Sequence, residues 1–105
     1  MIITNAFSLN MLAEVPATIH VRDLTPEEAR DLLEEGPVAS AVGHADTARL
    51  FAEELGVPIP MARRTLILAP GDTVLVGQYR GPRLPEGATT LPEGATITWL
   101  LVEIA

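Results

Sequence analysis

The sequence predicts a small α/β domain, a mixed sheet of about five strands flanked by short helices, that works as a homodimer. Three observations predict it. Short apolar runs of strand character recur along the 105 residues, interleaved with two segments of helical period. The length matches that of one domain, commonly about 100 to 150 residues, so 1–105 reads as a single unit. The core must be aliphatic and modest, because 48% of the residues are hydrophobic but only 4% aromatic, and a chain of this size buries roughly two thirds of its unfolded surface. A second subunit would add stability that such a core lacks.

Met1 to Thr4 is an apolar run that predicts the first strand. Asn5-Ala6-Phe7-Ser8 then reads as a loop whose Ser8 caps a short helix over 9–14, ended by Pro16. Thr18-Ile19-His20-Val21-Arg22 alternates polar and apolar side chains, which predicts a strand with one wet face, and His20 lies on that face. Thr25-Pro26-Glu27-Glu28 combines an N-cap threonine, proline at the first helical position and glutamate at the capping-box position. It predicts a helix to about Glu35, with Gly36 as its cap. Val38 to Val42 is a strand of small residues, after which Gly43-His44-Ala45-Asp46-Thr47 leads into a helical pattern through Ala48, Leu50, Phe51 and Leu55 that Gly56 ends.

Arg64 to Leu68 and Thr73 to Val76 are β-rich runs either side of Ala69-Pro70-Gly71-Asp72, a composition that predicts a hairpin. The last strand is read over Ile97 to Ile104. Between Gln78 and Thr96 lies a Gly-, Pro- and Arg-rich segment with a tandem echo, Leu84-Pro85-Glu86-Gly87-Ala88-Thr89 and then Leu91-Pro92-Glu93-Gly94-Ala95-Thr96. Two copies make no solenoid. A long irregular segment in a small domain is more often a binding loop or lid than filler.

Composition narrows the function. Seven arginines and no lysine stand against 14 acidic residues, a net charge of −7, which opposes binding to duplex nucleic acid or an anionic membrane. An anionic ligand must therefore be held locally. Cysteine is absent, which excludes disulfides, thiolate catalysis and thiolate zinc sites. The first residues lack a basic n-region and no apolar stretch reaches about 18 residues, so neither a signal peptide nor a membrane span is expected, and the expected location is cytoplasmic.

His44 is the leading candidate for acid-base chemistry. It follows glycine at a strand-to-helix junction, where free N–H groups and the helix dipole favour an anion. Taken alone, a Gly-His pair is not specific, and a solvated turn is the simpler reading. Pairing His44 with Asp46 supplies too few convergent ligands for a metal, so no metal or other cofactor is expected. Ser8 taken alone is better read as an N-cap than as a nucleophile. Arg63-Arg64, with Arg80 and Arg83, are the densest positive charge in the chain, equally readable as solvated strand ends or as phosphate ligands.

Four segments together carry more. Asn5-Ala6-Phe7-Ser8-Leu9-Asn10-Met11-Leu12, Val42-Gly43-His44 with a nearby Asp-Thr, Arg64 entering a strand, and Arg83-Leu84-Pro85-Glu86-Gly87 occur in this order over nearly the whole chain. In that order they resemble the viral and bacterial ring nucleases, the type III anti-CRISPR proteins and their bacterial relatives that degrade cyclic tetra-adenylate. Two positions depart from that pattern. The family usually reads Gly-His-Asp-Ser-Thr, so Asp46 stands one step later, where it is expected to cap the helix and compete with phosphate for its N–H groups. Gln78 only approximately matches a family glutamine, because Gly81-Pro82 lengthens the loop.

The resemblance implies a reaction in which a ribose 2′-hydroxyl attacks its neighbouring phosphorus, so that the nucleophile belongs to the substrate. His44 would be the general acid for the departing 5′-oxygen, since imidazole titrates near neutrality. Glu86 would orient it and favour its charged form, and Arg83 would neutralise the phosphate undergoing attack. Asn5, Ser8, Gly43, Arg64 and Gln78 would bind the remaining phosphates and ribose hydroxyls. The ring has approximate twofold symmetry, which an isologous homodimer matches, and the segment from Gln78 would close over it as a lid. The alternative is a non-catalytic sponge or sensor that holds a cyclic nucleotide without cutting it.

Overall fold

The capping box reads true in the computed structural model, which describes residues 1–88 and 90–105. Thr25 N–H donates to Glu28 Oε1 at 3.0 Å and Glu28 N–H to Thr25 Oγ1 at 3.1 Å, opening helix α1 (Pro26–Glu34). The Thr25 backbone N–H foremost, and then the Thr25 hydroxyl, hold the Glu28 carboxyl below its ordinary pKa. Helix α2 (Ala45–Leu55) follows the apolar spacing of Ala48, Phe51 and Leu55, and Gly56 closes it.

Five strands form one mixed sheet: β1 (Ile2–Thr4), β2 (Ile19–Leu24), β3 (Ala39–Ala41), β4 (Thr73–Arg80) and β5 (Thr96–Ile104), in the order β2-β5-β4-β1-β3. β1 is parallel to both β3 and β4, with Ile3 opposite Ser40 and Leu75, whereas β5 is antiparallel to β2 and β4. Alternation along β4 sends Leu75 to one face and Val74 and Val76 to the other. Leu75 joins the core under the two helices, which includes Ala29, Leu33, Phe51 and Trp99. Phe51 and Trp99 meet edge to face, with centroids 4.9 Å apart. Val74 and Val76 join a second cluster with Val102, Ile104, Leu66 and Leu68, against which Phe7, Met11 and Leu12 pack.

Three expected elements differ. The helix over 9–14 is a single 3-10 turn, Leu9–Met11. Its continuation is extended because Leu12 pairs with Leu68, and Ala13 N–H donates to the Leu68 carbonyl at 2.8 Å. The hairpin between Arg64–Leu68 and β4 does not form, because β1 and β5 already occupy both edges of β4. Residues 69–72 still turn, with Asp72 accepting the Ala69 N–H at 2.8 Å, while Leu66 and Leu68 cover the second face of the sheet and Ile67 points to solvent. β4 extends to Arg80, which puts Gln78 in a strand instead of a loop. His20 is exposed as expected, but so is Val21, at 59%, on edge strand β2.

Candidate functional site

The parallel strands β1 and β3 end side by side, and the chain leaves the sheet there. Carboxyl ends of parallel strands are where α/β sheets place ligand clefts. The buried Thr4 hydroxyl lies 3.3 Å from the Ala41 carbonyl and ties the two strand ends together. After α2 the chain returns to the same place: Ala62 N–H donates to the Val42 carbonyl at 2.9 Å and Arg63 Nε to the Gly43 carbonyl at 3.2 Å. These two bonds bring the Arg63-Arg64 pair beside Gly43-His44, about twenty residues earlier in the chain.

A cavity of about 380 Å³ opens at this junction, with Asn5, Gly43, His44, Arg63 and Arg64 in its wall. It has no carboxylate in its lining, although the chain carries a net charge of −7. Such a pocket suits an anion, because guanidinium pairs with phosphate or carboxylate through two parallel bonds. Across His44 lies a second cavity of about 500 Å³, walled by His44, Asp46, Thr47, Tyr79 and Arg83. A third, of about 390 Å³, adjoins Asn5 and contains Gln78 with Phe7, Val21, Leu100 and Val102. His44 thus stands between two cavities, and Asn5 between two.

His44 occupies the N-cap position of α2 in an extended conformation, and its side chain makes no capping bond. Asp46 does not cap the helix either, contrary to expectation. It is the second residue inside α2, past the position from which a side chain folds back on the first N–H groups, and its carboxylate is engaged elsewhere. Asp46 Oδ1 accepts the Gly87 N–H at 3.2 Å and lies 3.5 Å from Arg49 Nη1. Competition between Asp46 and phosphate for the helix end therefore does not arise from this contact.

The irregular segment begins at Gly81 and runs to Ala95. At its base the Tyr79 hydroxyl donates to the Pro82 carbonyl. Within it the tandem echo gives two turns of one kind: Ala88 N–H donates to Pro85 O at 3.1 Å and Ala95 N–H to Pro92 O at 3.0 Å, with Gly87 and Gly94 at φ 76° and 81°. Thr89, at the end of the first copy, lies outside the described residues.

The expected site residues divide accordingly. Asn5, Gly43, His44 and Arg64 share one cavity, Arg83 joins His44 in the next, and Gln78 meets Asn5 in the third. Glu86 sits in the first turn, beside the anchored Gly87, and among the described residues no ion pair within 4.0 Å joins it to His44. Ser8 is exposed and caps the 3-10 turn, its Oγ accepting the Asn10 N–H at 3.1 Å, and it is not in the wall of these cavities. Arg63 joins Arg64 in the first cavity, and Tyr79 in the second is a wall residue that the sequence reading did not single out. The Arg63-Arg64 doublet was visible in the sequence; nothing local signals Tyr79. Among the described residues no group of three or more acidic or histidine side chains could hold a metal ion.

Comparison with known proteins agrees on the architecture. A family model described as STIV B116-like matches residues 1–97. Uncharacterized protein 26 of Sulfolobus islandicus filamentous virus (isolate Iceland/Hveragerdi) is 40% identical over 73 residues, 70% of this chain and 62% of that protein, so the match spans less than two thirds of that relative. The solved structure of B116 of Sulfolobus turreted icosahedral virus superposes with a TM-score of 0.81 at 31% identity, covering 97% of both chains.

Proposed function

The chain belongs to the STIV B116-like family, and from that premise and the geometry of the cleft we propose that it is a metal-independent ring nuclease that opens cyclic tetra-adenylate. One observation carries the reading: a single imidazole, His44, separates two cavities, one holding Arg63 and Arg64 and the other Arg83. A ring of linked phosphates needs this repetition of cationic pockets around one proton donor. A protein handling an isolated anion needs only one.

The reaction balances without any cofactor. The ribose 2′-oxygen forms a bond to the adjacent phosphorus and gives up its proton to solvent. The bond from phosphorus to the 5′-oxygen breaks, and His44 protonates that oxygen, leaving a 5′-hydroxyl and a 2′,3′-cyclic phosphate. Arg83 stabilises charge on the phosphate undergoing attack, Arg64 holds its neighbour, and Asn5 and Gln78 hydrogen-bond ribose or base from the adjoining cavity. Holding the attacking and leaving oxygens in line supplies much of the acceleration. A second copy of the chain completes the site, since an isologous dimer matches the symmetry of the ring. The exposed Val21, beside half-buried Phe7 and Leu100, leaves apolar surface for it to cover. The protein would then act in the cytoplasm of a cell that makes this messenger.

The lack of an ion pair between His44 and Glu86 favours one other reading, a sponge that binds the cyclic nucleotide and leaves it intact. Incubation with cyclic tetra-adenylate in EDTA separates the two. The nuclease reading expects linear products with 2′,3′-cyclic phosphate ends in many-fold excess over protein. Intact ring, recovered in proportion to protein after denaturation, would establish the sponge instead.

A further inference from the structure

The loop from Gly81 to Ala95 is held at its base and at its tip by different means. At the base, Gly81 and Ala95 pack so closely that a Cβ on Gly81 would stand 2.6 Å from the Ala95 Cβ. At the tip, the Gly87 N–H reaches Asp46 on α2, 41 residues away in sequence. Among the described residues this is the one hydrogen bond joining the tip to the helical layer. Asp46 is half-buried and walls the cavity that also holds His44 and Arg83.

From these contacts we infer that Asp46 is a positioning residue, whose carboxylate holds the Gly87 turn so that Arg83 stands at the His44 cavity. A free carboxylate in that wall would repel a phosphate. Here Arg49, at 3.5 Å, and the Gly87 N–H share its charge. The group is thereby turned from a competitor of the ligand into an anchor for the residues that meet it. The part of the inference that concerns turnover rests on the ring-nuclease reading; the anchoring of the turn rests on the contacts alone.

Two variants of the full chain separate charge from hydrogen bonding. Asp46→Asn keeps an oxygen that accepts the Gly87 N–H, and Asp46→Ala removes it. Asp46→Ala is expected to lower kcat/KM for cyclic tetra-adenylate by on the order of 10- to 100-fold, as a displacement of about 1 Å does. Asp46→Asn should stay near the wild-type value, and thermal unfolding of both should match wild type. In the free protein the Gly87 amide resonance should move and exchange faster in Asp46→Ala alone. Equal kcat/KM in all three proteins would overturn the positioning role, and an unchanged Gly87 amide in Asp46→Ala would overturn the anchor. If the wild-type chain leaves the ring intact, the ring-nuclease reading fails by itself, and the Gly87 amide still decides whether Asp46 holds the turn.

Discussion

Leu84-Pro85-Glu86-Gly87-Ala88 and Leu91-Pro92-Glu93-Gly94-Ala95 are the same five residues twice, and they fold into the same turn. In each, proline supplies the carbonyl, glycine takes the left-handed third position and alanine closes the turn. Their surroundings differ. The first turn meets Asp46 and stands by the cleft, whereas the second brings buried Ala95 against Gly81 and leads directly into β5. Local sequence sets the shape of a turn, and the element it lands on sets its use. The first copy serves the cleft and the second serves the sheet.

The comparison is broken most severely at the base of the loop. A side chain on Gly81 would enter both the Ala95 Cβ and its Cα, at 2.6 and 2.8 Å, and the φ of 154° there already disfavours other residues. Gly81→Val is therefore expected to cost about 1–3 kcal/mol, the usual range for overpacking, and to abolish ring opening by separating both turns from the body. Chemical denaturation and a turnover assay check it; wild-type values in both would show that the base does not hold the loop.

A smaller effect separates the two glutamates. Glu86→Gln should lower kcat, because the ring-nuclease reading gives its carboxylate the part of orienting His44 once the ligand is bound. Glu93→Gln should leave kcat unchanged. Equal losses would mean that both copies face the ligand.

The gentlest test strains both turns alike. Gly87→Ala and Gly94→Ala each place a Cβ in open space at φ 76° and 81°, so each is expected to destabilise by about 1 kcal/mol through backbone strain alone. Unfolding midpoints should shift together. Activity should fall for Gly87→Ala only, and a fall for Gly94→Ala would deny the division of labour between the copies.

What the sequence disclosed follows the range of the forces involved. The capping box at Thr25 and Glu28, the end of α2 at Gly56 and the cap at Ser8 are settled within four residues, and all were legible. The mixed α/β fold of five strands was legible as well. The partners of a strand are not: Thr73–Val76 read as half of a hairpin with Arg64–Leu68, but eight consecutive pairs with β5 and the contact with β1 took its edges. The same register carried β4 through Gln78. Within the site, His44 and Gly43 were visible at their junction, and the Arg doublet was visible as charge. That Arg63 secures the Gly43 carbonyl depends on a return of the chain 20 residues later, and Asp46 could show its partner only once the loop had folded onto α2.

The central claim is that His44 protonates the leaving oxygen in a site that needs no metal. Turnover of cyclic tetra-adenylate by wild type and His44→Ala, both in EDTA and both with ligand affinity measured by calorimetry, tests it most directly. Loss of a placed general acid should lower kcat by about 100- to 10,000-fold while affinity is largely kept. Unchanged turnover in His44→Ala would contradict the account.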